Sequence, residues 1–215
     1  MMTRMRSLLS AGLTFALVLT SSQLEAQLCG GVPFNRDQTV VMASAGFPDN
    51  ANTFGIEGRR KTSNAIVLAG GYSITTIDED AAGGEDIPSQ HTIAAQGAYE
   101  FQLQSAESGP QLGICPNVGF GYTKWDELSM VSIPLGIGVG TAFEIGQGTA
   151  LLAPYASPSI VFAKAEVEDV ESDWENDFGI TAGANLVVSN LIFGGSFTKV
   201  GDADGTFGVQ AGLIF

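Results

Sequence analysis

Between Thr206 and Leu213 the side chains alternate without a break, and Phe215 keeps the parity. Phe207, Val209, Ala211, Leu213 and Phe215 fall on one face of an extended chain, and Gly208, Gln210 and Gly212 on the other. The contrast recurs upstream. Val131, Ile133, Leu135, Ile137, Val139 and Phe143 oppose Ser132, Pro134, Gly136, Gly138 and Gly140. Phe178, Ile180, Ala182, Ala184, Leu186 and Val188 oppose Gly179, Thr181, Gly183, Asn185 and Val187. A period of two over this much chain demands strands, and the second face is small or polar rather than charged. Charged residues make up 15% of the chain and hydrophobic ones 45%, against about 25% charged in an ordinary soluble domain. A water-soluble sandwich or barrel hides its bulky face and shows charge outside. This pattern fits the inverse, with bulky side chains toward lipid and small polar ones toward a narrow lumen.

Ten segments carry the pattern: 38–47, 52–60, 64–77, 91–104, 111–125, 128–145, 149–166, 175–188, 191–200 and 206–215. They predict an all-β, antiparallel, up-and-down transmembrane β-barrel. Ten strands are favoured, and eight are the alternative because the first two segments are short. Segment 149–166 is the weakest, since Pro154 and Pro158 interrupt it and its faces separate poorly. No helix is expected to span a bilayer. The best apolar run past the N-terminus, Ile133 to Phe143, has 11 residues including three glycines, and a spanning helix needs about 20.

Residues 1–26 read as a cleaved secretory signal, with Arg4 and Arg6 before the apolar run Leu8 to Leu19 and a small residue, Ala26, before the cut. Residues 27–36 then form a periplasmic N-terminal segment, and 37–215 the barrel. Lipoprotein processing at Cys29 is the minor alternative. With both ends of the barrel periplasmic, the connectors 48–51, 78–90, 126–127, 167–174 and 201–205 face outward. The acid concentrates in two of them. Asp78, Glu79, Asp80, Glu85 and Asp86 occupy one, and Glu166, Glu168, Asp169, Glu171, Asp173, Glu175 and Asp177 lie in or beside the other. That placement reconciles a net charge of −14 with a positive mean hydropathy, and the negative charge argues against a nucleic-acid partner.

The signal at 1–26, the alternating strands across 38–215 and the terminal strand ending in Phe215 together resemble the small bacterial outer-membrane β-barrels, of the OmpX-like or outer-membrane protein beta-barrel domain kind. The resemblance implies insertion among outer-membrane lipid and lipopolysaccharide as a monomer. It also implies that Phe215, Leu213, Ala211, Val209 and Phe207 are read by the barrel-assembly machinery. The two cysteines depart from the family's habit.

Those cysteines, Cys29 and Cys115, are the only pair in an exported chain, so a disulfide is the default. It is expected to hold residues 27–36 in the inner mouth. Glu57, Arg59 and Glu100 all fall on inward sets. A salt-bridged filling of the lumen is favoured over a selectivity ring, because side chains roughly fill so small a barrel. No catalytic, cofactor-binding or metal-ligating constellation is assigned. The acidic loops lack the spacing of a calcium loop. His91 is the only histidine, with Asp86 near it in sequence but no second held acid. The glycines at 136, 138 and 140 lack the dinucleotide-loop spacing. Trp125, Trp174, Tyr122, Tyr72 and Phe197 are placed near outer strand ends, as an interfacial girdle requires. The expected role is therefore structural or surface-interactive, the alternatives being a small passive channel, an outer-rim hydrolase at His91 or a soluble lipocalin-like carrier.

Overall fold

The computed structural model describes residues 38–62, 64–77, 88–103, 112–146, 149–167 and 170–215. Ten long strands run in chain order: β1 (Thr39–Phe47), β2 (Ala51–Lys61), β3 (Ile66–Ile77), β4 (Gln90–Tyr99), β5 (Leu112–Trp125), β6 (Leu128–Thr141), β7 (Ala150–Val167), β8 (Glu175–Val188), β9 (Leu191–Val200) and β10 (Thr206–Ile214). Short pieces extend the wall at Phe101–Leu103, Phe143–Ile145 and Val170–Glu171. Each strand pairs antiparallel with its sequence neighbours, and β10 pairs with β1. The ring is closed, so no long strand is left as an unpaired edge. Thr39 and Phe215 exchange backbone hydrogen bonds of 3.2 and 2.8 Å at the seam. The first hairpin is thus part of the closure, which excludes the eight-stranded alternative.

Following the registers once around the ring returns to β1 twelve residues from the start. Ten strands with that shear tilt about 40° and enclose a backbone ring roughly 9–10 Å in radius. Two connections are two-residue hairpins, Asp126–Glu127 and Ser189–Asn190. The first residue of each takes a left-handed φ, 49° at Asp126 and 56° at Ser189, the twist that lets a tight turn follow its strands.

The faces sort as the alternation requires. Phe54, Ile56, Leu68, Ile93, Phe120, Ile137, Ile180, Phe193 and Val209 stand exposed on the outside, with Phe207 at 64% and Phe215 at 69%. Met42, Glu57, Gln96, Asn117, Ser132, Ser157, Asn185 and Gln210 are buried inside. A continuous apolar belt of this extent has no place in water and is the lipid face of a spanning barrel.

Segment 149–166 turns out to be the longest strand, β7, with 18 residues. Its prolines face outward, where the ring clears the packed lumen. The cost appears in the ladder instead. The β6–β7 pairing skips Ile137–Gly138 opposite Ser157–Pro158, and β6 has a proline gap of its own, where the β5–β6 pairing skips Gly119–Phe120 opposite Ile133–Pro134. A proline has no N–H to give, and the neighbouring rungs carry the strand past it. The faces of β7 look mixed in sequence because its inner face is itself apolar toward one end, at Val161, Ala163 and Ala165.

Candidate functional site: the barrel lumen

The end that carries residues 38 and 215 is called here the near end, and the opposite one the far end. Glu57 and Arg59 project inward from β2 two residues apart, and their side chains form an ion pair. Arg59 is 1% exposed. Lys61 ends β2 and pairs with Glu100, which follows β4, across the intervening β3. The alternation placed Glu57, Arg59 and Glu100 inward but missed Lys61, which lies at a predicted turn. Its signal was parity: 57, 59 and 61 share a face.

Tyr155, 5% exposed on β7, was also missed. It lies within electrostatic reach of Arg59 and Glu57, although its strand stands five away from theirs around the ring. No local pattern announces such a neighbour.

The glycines of the inner face prove to be sockets. Tyr155 lies over its cross-strand partner Gly183, where a β carbon would come within 2.6 Å of the phenolic oxygen. Asn117 covers Gly136 in the same way, at 2.9 Å from its Oδ1. Asn185 lies over Gly194 and Met42 over Gly212, each on the paired position of the next strand. Large and small therefore alternate around the lumen as well as along each strand, and the side chains lie down on the wall. The amides link up: Gln96 Nε2 donates to Asn117 Oδ1 (3.0 Å), and Gln210 Nε2 to Asn185 Oδ1 (2.5 Å).

Both ends of the lumen are apolar in part. Near the termini, Val40, Met42, Val67, Ala69, Ala98, Cys115, Val187 and Ile192 form one buried cluster. At the far end Met130, Val161, Ala163, Ala165 and Val200 form another. The rest of the far end is lined by paired hydroxyls, Thr53 with Thr75 (2.8 Å), Thr92 with Thr123 (3.0 Å) and, deeper, Thr198 donating to Thr181 (2.9 Å).

The remaining sequence candidates fall as follows. Cys115 is wholly buried in the near-end cluster, and no described cysteine is free. Cys29 lies outside the described residues, as do the whole 1–37 segment and Asp78, Glu79, Asp80, Glu85, Asp86, Glu168 and Asp169. His91 does not face the lumen. It stands exposed on the outer surface of β4, and its Nδ1 shares a hydrogen bond of 2.6 Å with the Tyr72 hydroxyl. Phe207, Val209, Ala211 and Leu213 lie on the outer face of β10, with Phe215 exposed just past its end. Tyr72, Tyr122, Trp174 and Phe197 are exposed in the far half, whereas Trp125 is half-buried. Among the described residues no cluster of three or more His, Cys, Asp or Glu side chains is arranged to hold a metal ion.

A closed, antiparallel, ten-stranded ring with its apolar face outward is a barrel of the bacterial outer-membrane kind. Among solved structures, the following β-barrels are similar to the chain. LpxR from Salmonella typhimurium matches with a TM-score of 0.50 at 12% identity, over 87% of each chain. The N-terminal β-barrel domain of Pseudomonas aeruginosa OprF matches at 12% identity and a TM-score of 0.39, over 84% of this chain and 98% of that one. Ail, the attachment invasion locus protein of Yersinia pestis, matches at 14% identity and a TM-score of 0.31, over 84% of this chain and all of the other. No protein-family model and no curated protein matches the chain. At 12% identity the likeness to LpxR is one of fold alone.

Proposed function

We propose that the protein is a non-enzymatic, monomeric outer-membrane barrel with a closed lumen, acting through its acidic outward loops in a structural or surface-interaction role. In this reading residues 1–26 are removed on export, the near end faces the periplasm, and the surrounding partners are outer-membrane lipid and lipopolysaccharide. The barrel-assembly machinery reads the strand that ends in Phe215. A Cys29–Cys115 disulfide tethers residues 27–36 at the inner mouth, for which Cys115, buried in the near-end cluster, is suitably placed.

One observation carries the proposal. The inward charges of the near half are buried and paired, Glu57 with Arg59 and Lys61 with Glu100, between apolar clusters toward either end. A conduction path needs polar groups that face water, and these face each other. His91 has a tyrosine as its described hydrogen-bond partner, and among the described residues no acid is paired with it, as water activation would require. Planar-bilayer recording tests the reading. The expected trace shows no steady open level, and a stable nanosiemens conductance overturns the closed lumen in favour of a passive pore.

A further inference from the structure

The cations of the far half avoid the lumen. Lys124 and Lys199 are exposed and Lys164 is half-buried, and all three sit on outward positions of their strands. Lys164 is engaged within the protein. Lys124 forms no ion pair among the described residues, and its surroundings are particular. Its register partner on β4 is His91, so the two β carbons lie about 4.5–5.5 Å apart on one face. His91 in turn stacks on Tyr72 of β3, with ring centroids 6.1 Å apart and an interplanar angle of 27°. Their 2.6 Å hydrogen bond occupies Nδ1 and leaves Nε2 as the other ring nitrogen. Ser129, the partner of Lys124 on β6, adds a hydroxyl on the same face.

The position along the barrel matters as much as the chemistry. On the near-end side of this group the outer face is apolar, with Ile93, Phe120 and Tyr122 exposed. On the loop side lie carboxylates, Asp126 and Glu127 in the hairpin and Glu166 on β7. A lysine, an imidazole and a phenol thus sit in the strip between acyl-chain contact and the acidic loops. A lysine that only snorkels needs no such companions.

We infer that Lys124, His91 and Tyr72 form a docking site for the phosphorylated headgroup of a lipid, with Ser129 at its edge and the acyl chains lying against Ile93, Phe120 and Tyr122. The site rests on the proposed membrane reading and adds to it a ligand class and an address. Lys124 supplies the charge and His91, held by Tyr72, the directed hydrogen bond.

His91 is the only histidine, so its ring resonances report the site alone. The protein is refolded in zwitterionic micelles, and the imidazole nitrogen shifts are followed as a phosphatidate, a phosphate-monoester lipid, is added. The expected result is a saturable shift that phosphatidylcholine does not produce and that inorganic phosphate does not match at equal concentration. In Lys124→Gln the midpoint moves about fivefold upward, the weight of one interfacial lysine, while heat-modifiable gel mobility stays that of the folded barrel. An unmoved ring, an equal response to phosphatidylcholine or an unmoved midpoint in Lys124→Gln overturns the site, and an equal response to inorganic phosphate overturns the lipid. The test is independent of conductance: a conducting barrel with the shift removes the closed lumen and leaves the docking site standing.

Discussion

The two halves of the lumen solve one problem in different ways. The near half buries full charges and cancels them locally, Glu57 against Arg59 and Lys61 against Glu100. The far half turns its lysines outward and fills the interior with neutral hydroxyl pairs and the Met130–Val161 cluster. An enclosed charge without a partner is far more costly than an enclosed hydroxyl with one. The near half therefore depends on its pairs staying complete, and the far half tolerates change. The paired charges are not obligatory for filling the space, because the far half is filled without them.

Removing one partner of the near pair tests this most severely. Arg59→Met leaves Glu57 enclosed and is expected to cost about 3–5 kcal/mol in denaturant unfolding from micelles. The double substitution Glu57→Gln with Arg59→Met recovers most of it. If the single variant is as stable as the parent, the two halves do not differ as described. The sockets come next. Gly194→Ala drives a methyl into the Asn185 side chain and costs about 1–3 kcal/mol, whereas the same change in an Asn185→Ala background costs clearly less, measured as a double-mutant cycle. The smallest effect belongs to the far half. Thr53→Val strands the Thr75 hydroxyl and costs about 1 kcal/mol, and changing both threonines to valine returns the stability to near its starting value. A large loss in the double variant erases the contrast.

The outer face was legible from residues alone, and so was the strand order. Lipid selects bulky apolar side chains at every second position, so parity is written into any stretch such as Phe207 to Phe215. The inner face was harder to read. Gly183 and Gly194 register in the sequence only as small residues of a curved strand. Their purpose, to seat Tyr155 and Asn185, depends on which residue the neighbouring strand places opposite. Strand β7 misled for a related reason: its inner face is apolar where it meets Met130 and Val200 from other strands, so alternation fades although the strand continues. His91 was read as a rim residue, and it does stand at the far end of β4; its described neighbours Tyr72 and Lys124 come from β3 and β5, which no local pattern announces.

By itself the sequence determined that this chain is a string of strands with one face for lipid, because a two-residue period and an apolar surface are properties of neighbours along the chain. Only the closed ring decided the rest. The shear of twelve residues sets which side chains meet across the wall and brings Tyr155 toward a charge pair five strands away. It also chooses which glycine lies under which ring. Register is a property of the whole circuit, fixed only when the last strand finds the first.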